Sequence, residues 1–342
     1  VAAFGFLYGE EDSIFLRCAM QPQPKWQIIA DSSMNDFDGT MRLSQLKMLV
    51  AVADNGSFSA AAADLNCTQS RISHAIAELE RDLGVRLLTR SREGSAPTDA
   101  GRRVLEKARQ MLWLENSLFE AARDGAELAG HVRIACFQSV GTHLLPYALE
   151  ALASEYPNIR VDIDDGCDER SDVTEALSQG RADIGIAQLP VDHGFVTQSY
   201  LQDSYMLVVP AALKISTAAG WPQLERLPFI ALGCSGAAAI LERCREAGFS
   251  AEPRRTLSNQ TSVAAMVGRG MGYSILPRLS TFPEPDGVRI LPLPIPARRQ
   301  FALAALPQVM RSPAVKAVAR FIRDKRVVAK TKAYQAGIVG WE

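Results

Sequence analysis

Paired cysteines are missing from this chain. Its six cysteines, Cys18, Cys67, Cys136, Cys167, Cys234 and Cys244, are scattered without a CxxC step. That excludes a zinc ribbon and a thioredoxin-type motif, and it suits a reducing compartment. His74, His131, His143 and His193 stand singly, with no metal-ligand partner nearby in sequence, so no metal site is expected. Long apolar runs are missing too: nothing approaches the roughly 20 residues of a membrane span. Residues 1–40 lack the basic start, apolar middle and small-residue cleavage site of a secretory signal. A cytoplasmic location without membrane contact is therefore the expectation. No excess of one charge exists either; a net −1 excludes a histone-like binder that works by bulk charge. Enzyme motifs fail as well. Gly268, Gly270 and Gly272 have the wrong spacing for a dinucleotide loop and precede a strand pattern. Gly233-Cys234-Ser235-Gly236 is not a nucleophile elbow. No catalytic residue and no cofactor are expected.

What is present is length and pattern. A chain of 342 residues holds two or three domains, and 47% hydrophobic with 22% charged residues is ordinary for a globular protein. Residues 1–40 carry six carboxylates against Arg17 and Lys25, a balance of −4, so a total of −1 leaves +3 on the rest. This acidic leader has no sustained period, and Met41 opens the first patterned segment. It reads as an N-terminal extension, either disordered or upstream of the true start.

From Leu43, apolar residues at Leu43, Leu46, Val50 and Ala53 predict a helix ending near Asn55-Gly56. Ser57 stands in an N-cap position before Phe58, Ala61, Ala62 and Leu65, and the run Ala60–Ala63 lets another helix pass close by. After a break at Asn66-Cys67, Thr68 is placed to cap a third helix with inner face Ile72, Ile76, Leu79 and Leu83, stopped by Gly84. The opposite face, Gln69, Ser70, Arg71, Ser73, His74 and Ala77, is short or hydrogen-bonding in its N-terminal half. There a recognition helix meets base edges: Gln pairs with adenine and Arg with guanine. Val85–Leu88 reads as a short strand and 89–95 as the loop of a wing whose Arg90 and Arg92 reach phosphates. Seven basic and six acidic residues over 41–98 make bulk charge weak support, so placement matters more. By periodicity alone, a small helical bundle with a solvated Ser/Arg face is the alternative.

The ordered stretch Gly56-Ser57-Phe58-Ser59-Ala60-Ala61-Ala62, Leu65, Gln69-Ser70-Arg71-Ile72-Ser73-His74-Ala75-Ile76, Leu79-Glu80, Leu83-Gly84, Leu87-Leu88-Thr89-Arg90 and Thr98-Asp99-Ala100-Gly101 resembles the DNA-binding domain of LysR-type transcriptional regulators. Leu88, where an aromatic residue is usual, and Pro97, where Leu is usual, depart from the pattern. The resemblance implies a winged helix-turn-helix over 41–98 that binds double-stranded DNA, with Ser57, Thr68, Gln69, Ser70, Arg71, Ser73, His74, Arg90 and Arg92 as candidate contacts.

Thr98-Asp99 starts a long amphipathic pattern with Val104, Ala108, Met111, Leu114, Leu118 and Ala122, a linker helix assigned to 99–128. A small winged domain cannot cover about 40 Å of helix, so the seam meets the same helix of another subunit, or alternatively its own chain. Beyond Gly130 short strands alternate with helices, which predicts a parallel α/β sheet and two similar lobes over 131–326, followed by a tail over 327–342. Leu145-Pro146, Tyr156-Pro157-Asn158, Gly180-Arg181-Ala182-Asp183 and Gly270-Met271-Gly272-Tyr273-Ser274-Ile275-Leu276-Pro277 resemble the effector domain of the same family, which is similar to a type 2 periplasmic binding protein. The fold class is thus multidomain: an all-α winged helix-turn-helix, a linker helix and a two-lobed α/β effector domain.

Ligands in such sheets sit beyond the strand C-termini, where helix N-termini receive anions. Gln138, Ser139 and Thr142 in one lobe and Cys234 and Ser235 in the other are the candidate effector contacts, with Thr261 and Ser262 as weaker ones. A small polar effector, for instance a carboxylate, is the expected ligand. Alternatively Ser139, Thr142 and Ser235 merely cap their helices. The loop Asp164–Asp172 is longer and more acidic than the resemblance predicts. Cys234 and Cys244 bracket a helix where peroxide-sensing members carry a reactive pair, yet ten helical residues separate them by roughly 15 Å. Thiol sensing therefore stays as an alternative to ligand sensing. A solute-binding protein without DNA function is the alternative from another class. The resemblance implies a homodimer or homotetramer and makes RNA polymerase a candidate partner.

Overall fold

The computed structural model describes residues 41–91, 94–121, 128–168, 170–215, 221–224 and 227–341. The expectations for residues 1–40, Arg92 and Ala122 lie outside them.

Helices α1 (Leu43–Asn55), α2 (Phe58–Asp64) and α3 (Gln69–Leu83) form the first domain. The Ser57 side chain accepts from Ala60 N–H and that of Thr68 from Arg71 N–H, so both N-caps form. Gly56 and Gly84 end α1 and α3 at φ +68° and +65°, and Asn66 turns the chain between α2 and α3 at φ +49°. The buried face of α1 differs from the expected one. Leu46, Leu49 and Val52 enter the core, whereas Leu43 is exposed and Val50 and Ala53 are half-buried. Leu65 and Leu83 are exposed as well, while Phe58, Ala61, Ile72, Ile76 and Leu79 complete the core.

The wing is a tight hairpin of β1 (Leu88–Ser91) and β2 (Gly94–Pro97), with Thr89 and Arg90 paired to Ala96 and Ser95, instead of a strand over 85–88 and a long loop. The cause is local. Glu80 Oε1 accepts from Leu87 N–H at 2.7 Å and Leu88 N–H at 3.2 Å, which holds the chain before Leu88 against α3. Helix α4 (Asp99–Ala121) then starts on a Thr98 cap, whose hydroxyl accepts from Gly101 N–H. Gly101 is a glycine because a Cβ there would collide with the Leu87 carbonyl oxygen.

The effector half has two lobes. Lobe one begins with β3 (Gly130–Cys136), α5 (Gln138–His143), α6 (Leu145–Glu155), β4 (Ile159–Asp164), α7 (Ser171–Ser178) and β5 (Ile184–Gln188). The fifteen-residue β6 (Val196–Pro210) crosses into lobe two. Lobe two holds β7 (Phe229–Leu232), α8 (Ser235–Glu246), β8 (Pro253–Leu257), α9 (Gln260–Gly268), β9 (Ser274–Pro277) and β10 (Val288–Pro292). Strand β11 (Arg298–Ala305) returns to lobe one, where α10 (Pro313–Ile322) covers the sheet.

One expectation needs correction. The sheet is mixed: β3 runs parallel to β4 and β5, and β7 to β8, but β11 arrives from lobe two and runs against β5 and β6. The segment after residue 326, expected as a C-terminal tail, is folded. Helices α11 (Lys325–Val328) and α12 (Lys332–Gln335) and strand β12 (Gly340–Trp341) dock on lobe one. Val327, Val328, Ala333, Ile338 and Val339 are buried there, and β12 pairs with Leu201 and Gln202 of β6.

Candidate nucleic-acid interface and effector cleft

Helix α3 presents Gln69, Ser70, Arg71 and His74 to solvent, on the side opposite Ile72, Ile76 and Leu79. The Arg71 guanidinium has no hydrogen-bond or ion-pair partner among the described residues, which leaves it available to a base edge. Gln69 Oε1 accepts from Ser59 Oγ of α2 at 3.3 Å, and His74 Nδ1 lies 3.4 Å from Glu78 Oε1. Ser57 and Thr68 spend their hydroxyls on the caps. Arg90 does more than extend toward a backbone. Its Nη2 donates to Ser73 Oγ at 2.9 Å while its guanidinium lies 4.1 Å from the Phe58 ring centroid. The wing is thereby fastened to the recognition helix, and Ser73 is engaged by protein.

The linker helix divides its apolar residues between two faces. Leu105 and Ala108 are buried in the first domain's core, and Leu112 packs on it. Met111, Leu114 and Leu118, at steps of three and four, are 38%, 54% and 70% exposed. Arg109 joins three parts of the chain. One Nη forms an ion pair with Asp54 at the end of α1; the other donates to the Gln179 carbonyl, just past α7, at 3.2 Å. Burial lowers the affinity of Arg109 for its proton, and the adjacent Asp54 carboxylate opposes that. Gly180, at φ +66°, lets α7 end against it, since a Cβ there would lie 2.9 Å from Arg109 Cβ. Sequence reasoning missed Arg109; the available signal was a cation following Leu105 and Ala108 on the inward face.

Between the lobes lies a cavity of about 510 Å³. Of the expected contacts, Gln138 and Cys234 line it. Ser139 is buried next to Gln138 and does not line the cavity, and its Oγ has no hydrogen-bond partner among the described residues. Thr142 Oγ donates to the Gln138 carbonyl within its own helix. Thr261 and Ser262 are exposed and do not line the cavity; Gln260 and Asn259, whose side chain caps α9, take their place. Ser235 is bound by protein: its N–H donates to Asp168 Oδ2 at 2.6 Å and its hydroxyl to Oδ1. A carboxylate does rest on the N-terminus of α8, then, but it belongs to the acidic loop of lobe one. Burial alone would raise the Asp168 pKa, but the Ser235 hydrogen bonds and backbone N–H groups of Arg170 and Ser171 outweigh it, and the net direction is down.

Beneath the cavity, Arg299 donates to both carboxylate oxygens of Asp203 at 2.8 Å, with both side chains fully buried. Asp203 also accepts from Leu279 N–H at 2.9 Å, and the guanidinium lies between the rings of Phe137, Phe301 and Tyr205. Arg133 and Asp183 form a second bidentate pair that ties β3 to the start of β5, which accounts for the aspartate of the Gly180–Asp183 motif. Cys234 caps α8 and Cys244 sits ten residues on, inside an unbroken helix, with its thiol pushed up to about 11 by burial. This geometry keeps the two sulfurs apart.

Residues 43–102 match the family described as bacterial regulatory helix-turn-helix protein, lysR family, and residues 125–326 match the LysR substrate binding domain. The chain belongs to the LysR family of transcriptional regulators. It is 36% identical over 287 residues, 83% of this chain and 97% of the relative, to the probable HTH-type transcriptional regulator LrrA of Synechococcus elongatus. It is 30% identical to the uncharacterized HTH-type transcriptional regulator YfeR of Shigella flexneri, covering 83% of this chain and 94% of the relative. A full-length OxyR variant from Pseudomonas aeruginosa shares the fold with a TM-score of 0.65 at 22% identity, covering 84% of this chain and 99% of that one. The regulator thus pairs a helix-turn-helix with an effector-binding domain, and the solute-binding alternative without DNA function falls. Among the described residues no helix is long and apolar enough to cross a membrane.

Proposed function

We propose that this regulator acts in the cytoplasm as a homodimer, or a homotetramer of paired dimers, that sets two α3 helices on spaced half-sites of double-stranded DNA. The observation that carries the reading is the outward seam Met111, Leu114 and Leu118 on a helix 23 residues long. Three large apolar side chains at heptad-like steps are costly to leave in water and pair naturally with a second copy. Gln69, Ser70 and Arg71 then read bases, Arg90 holds the wing, and Arg92 adds a phosphate contact. A small molecule in the inter-lobe cavity changes how the lobes sit. Gln179 and Gly180 pass the change to Arg109 and Asp54, at the root of the DNA-binding domain. Contact with RNA polymerase belongs to the same reading.

The test is a footprint on the operator. The wild type protects two half-sites separated by one helical turn or a multiple of it. A Leu114→Glu/Leu118→Glu variant, monomeric by sedimentation, protects neither at the same concentration. Protection of one isolated site, unchanged by that variant, would refute the dimer.

A further inference from the structure

The cavity between the lobes has a charge of one sign. Asp165, Asp168 and Asp172 line it, and no lysine, arginine or histidine does among the described residues. Arg170, the one cation of the loop, donates instead to the Leu189 carbonyl. Asp165 and Asp172 are exposed to solvent, and neither has an ion-pair partner among the described residues. Asp172 accepts from the Asp168 N–H at 2.9 Å, so its carboxylate is held in place by the loop while remaining unneutralised. The thiols of Cys136 and Cys167 behind this loop are pushed up to about 12, by burial first and by neighbouring carboxylates second. Both shifts have the sign that a negative potential produces.

The sites at which an anion would be received are taken or weak. Asp168 already fills the N-terminus of α8. Helix α5 has only six residues, too short for a strong end charge. The walls still offer uncharged hydrogen-bonding groups, Gln138, Asn259 and Gln260, and the buried Ser139 Oγ next to Gln138 has no hydrogen-bond partner among the described residues. A carboxylate effector entering here meets three like charges and must displace Asp168 to reach backbone N–H groups. An ammonium or guanidinium meets carboxylates that lack a counter-ion.

On the reading that this cavity is the effector site, we propose that the effector is a small organic cation, an amine or guanidine, whose charged end is held by Asp165 and Asp172 and whose remainder contacts Gln138, Asn259 and Gln260. Asp168 stays on Ser235 and keeps the lobes together around it. A cavity of about 510 Å³ accommodates a ligand of metabolite size.

The experiment uses the full chain and probes that share a four-methylene spacer: 1,4-diaminobutane and 4-guanidinobutylamine against adipate. Melting temperature and titration calorimetry are read at fixed ionic strength. The cations bind the wild type and raise its melting temperature, and adipate does neither. The isosteric Asp165→Asn/Asp172→Asn variant, altered only at exposed side chains, binds them about 10- to 100-fold more weakly. Gln260→Trp, which fills the cavity from the first turn of α9, abolishes binding. Adipate binding that Gln260→Trp abolishes overturns the cation while keeping the cavity. Cation binding indifferent to Gln260→Trp and to the double Asn variant overturns the cavity as the site. No binding by any amine or guanidine in a wider panel of up to about 12 non-hydrogen atoms overturns the proposal outright.

Discussion

Removing the carboxylate of Asp203 is the sharpest test of what holds the two lobes as one domain. Asp203 sits on β6, Arg299 on β11, and both side chains have zero exposure. In Asp203→Ala the buried guanidinium loses the Asp203 carboxylate, and Leu279 N–H loses its acceptor. Breaking a buried pair from one side costs about 3–5 kcal/mol. The rings of Phe137, Phe301 and Tyr205 remain around the cation and offset about 1 kcal/mol of that. A net loss of about 2–4 kcal/mol is a large part of the about 5–15 kcal/mol that holds a domain together. For an effector domain of this size each kcal/mol shifts the midpoint by about 2–4 °C, so calorimetry on the full chain should show the effector-domain transition about 4–16 °C lower. Asp203→Leu/Arg299→Met removes both charges and should recover more than half of the loss. If the single variant melts within about 2 °C of wild type, or the double variant is worse than the single one, the pair is not what fastens β6 to β11.

Three further outcomes follow from the contacts described. Asp54→Ala should destabilise the DNA-binding domain by about 1–3 kcal/mol in urea, discounted because Asp54 is half-exposed, and Arg109→Met in the same chain should offset part of this; strict additivity would dissolve the latch. Arg90→Ala should weaken binding to every operator alike, through the lost Ser73 and Phe58 contacts, whereas Arg71→Ala should re-rank single-base operator variants by about 1–3 kcal/mol at one position; the same ranking for both would contradict that division. Asp168 titrates below the usual carboxylate range, so its stabilisation is complete above about pH 3.9 and disappears as pH falls through its lowered value. Asp168→Asn should flatten the acid limb of a stability-against-pH curve below that point, and an unchanged limb would mean that the Ser235 contact does not hold in solution.

Features decided within a few residues were legible in advance. Ser57 and Thr68 cap their helices because a hydroxyl before an apolar stripe has one orphan N–H to serve. Gly84 ends α3 because glycine adopts the left-handed φ of +65° without a Cβ clash. The buried face of α1 was not legible. Apolar residues run almost unbroken from Met48 to Ala53, so α3 and α4, and not periodicity, choose Leu46, Leu49 and Val52. The first half of β6 is polar and is a strand because β11 pairs with it. The deciding side-chain contacts of the effector half join residues far apart in the chain, Asp203 to Arg299 over 96 residues and Asp168 to Ser235 over 67. The acidic loop was visible as unusual; that it supplies its own carboxylate to the opposite lobe was not.

The strand that crosses between the lobes also carries β12. Gly340 and Trp341 lie on Gln202 and Leu201, and Trp341 stands edge-on to Tyr200 at 6.1 Å between ring centroids. Whatever is joined to the chain beyond Trp341 is therefore attached to the bridge between the two lobes. An affinity handle or fluorescent reporter placed there pulls on the strand that the two lobes share, whereas the same handle placed ahead of Met41 leaves from the DNA-binding end. Sensitivity curves from chains tagged at the two ends would then differ in midpoint, and the difference would measure how stiffly that bridge is held.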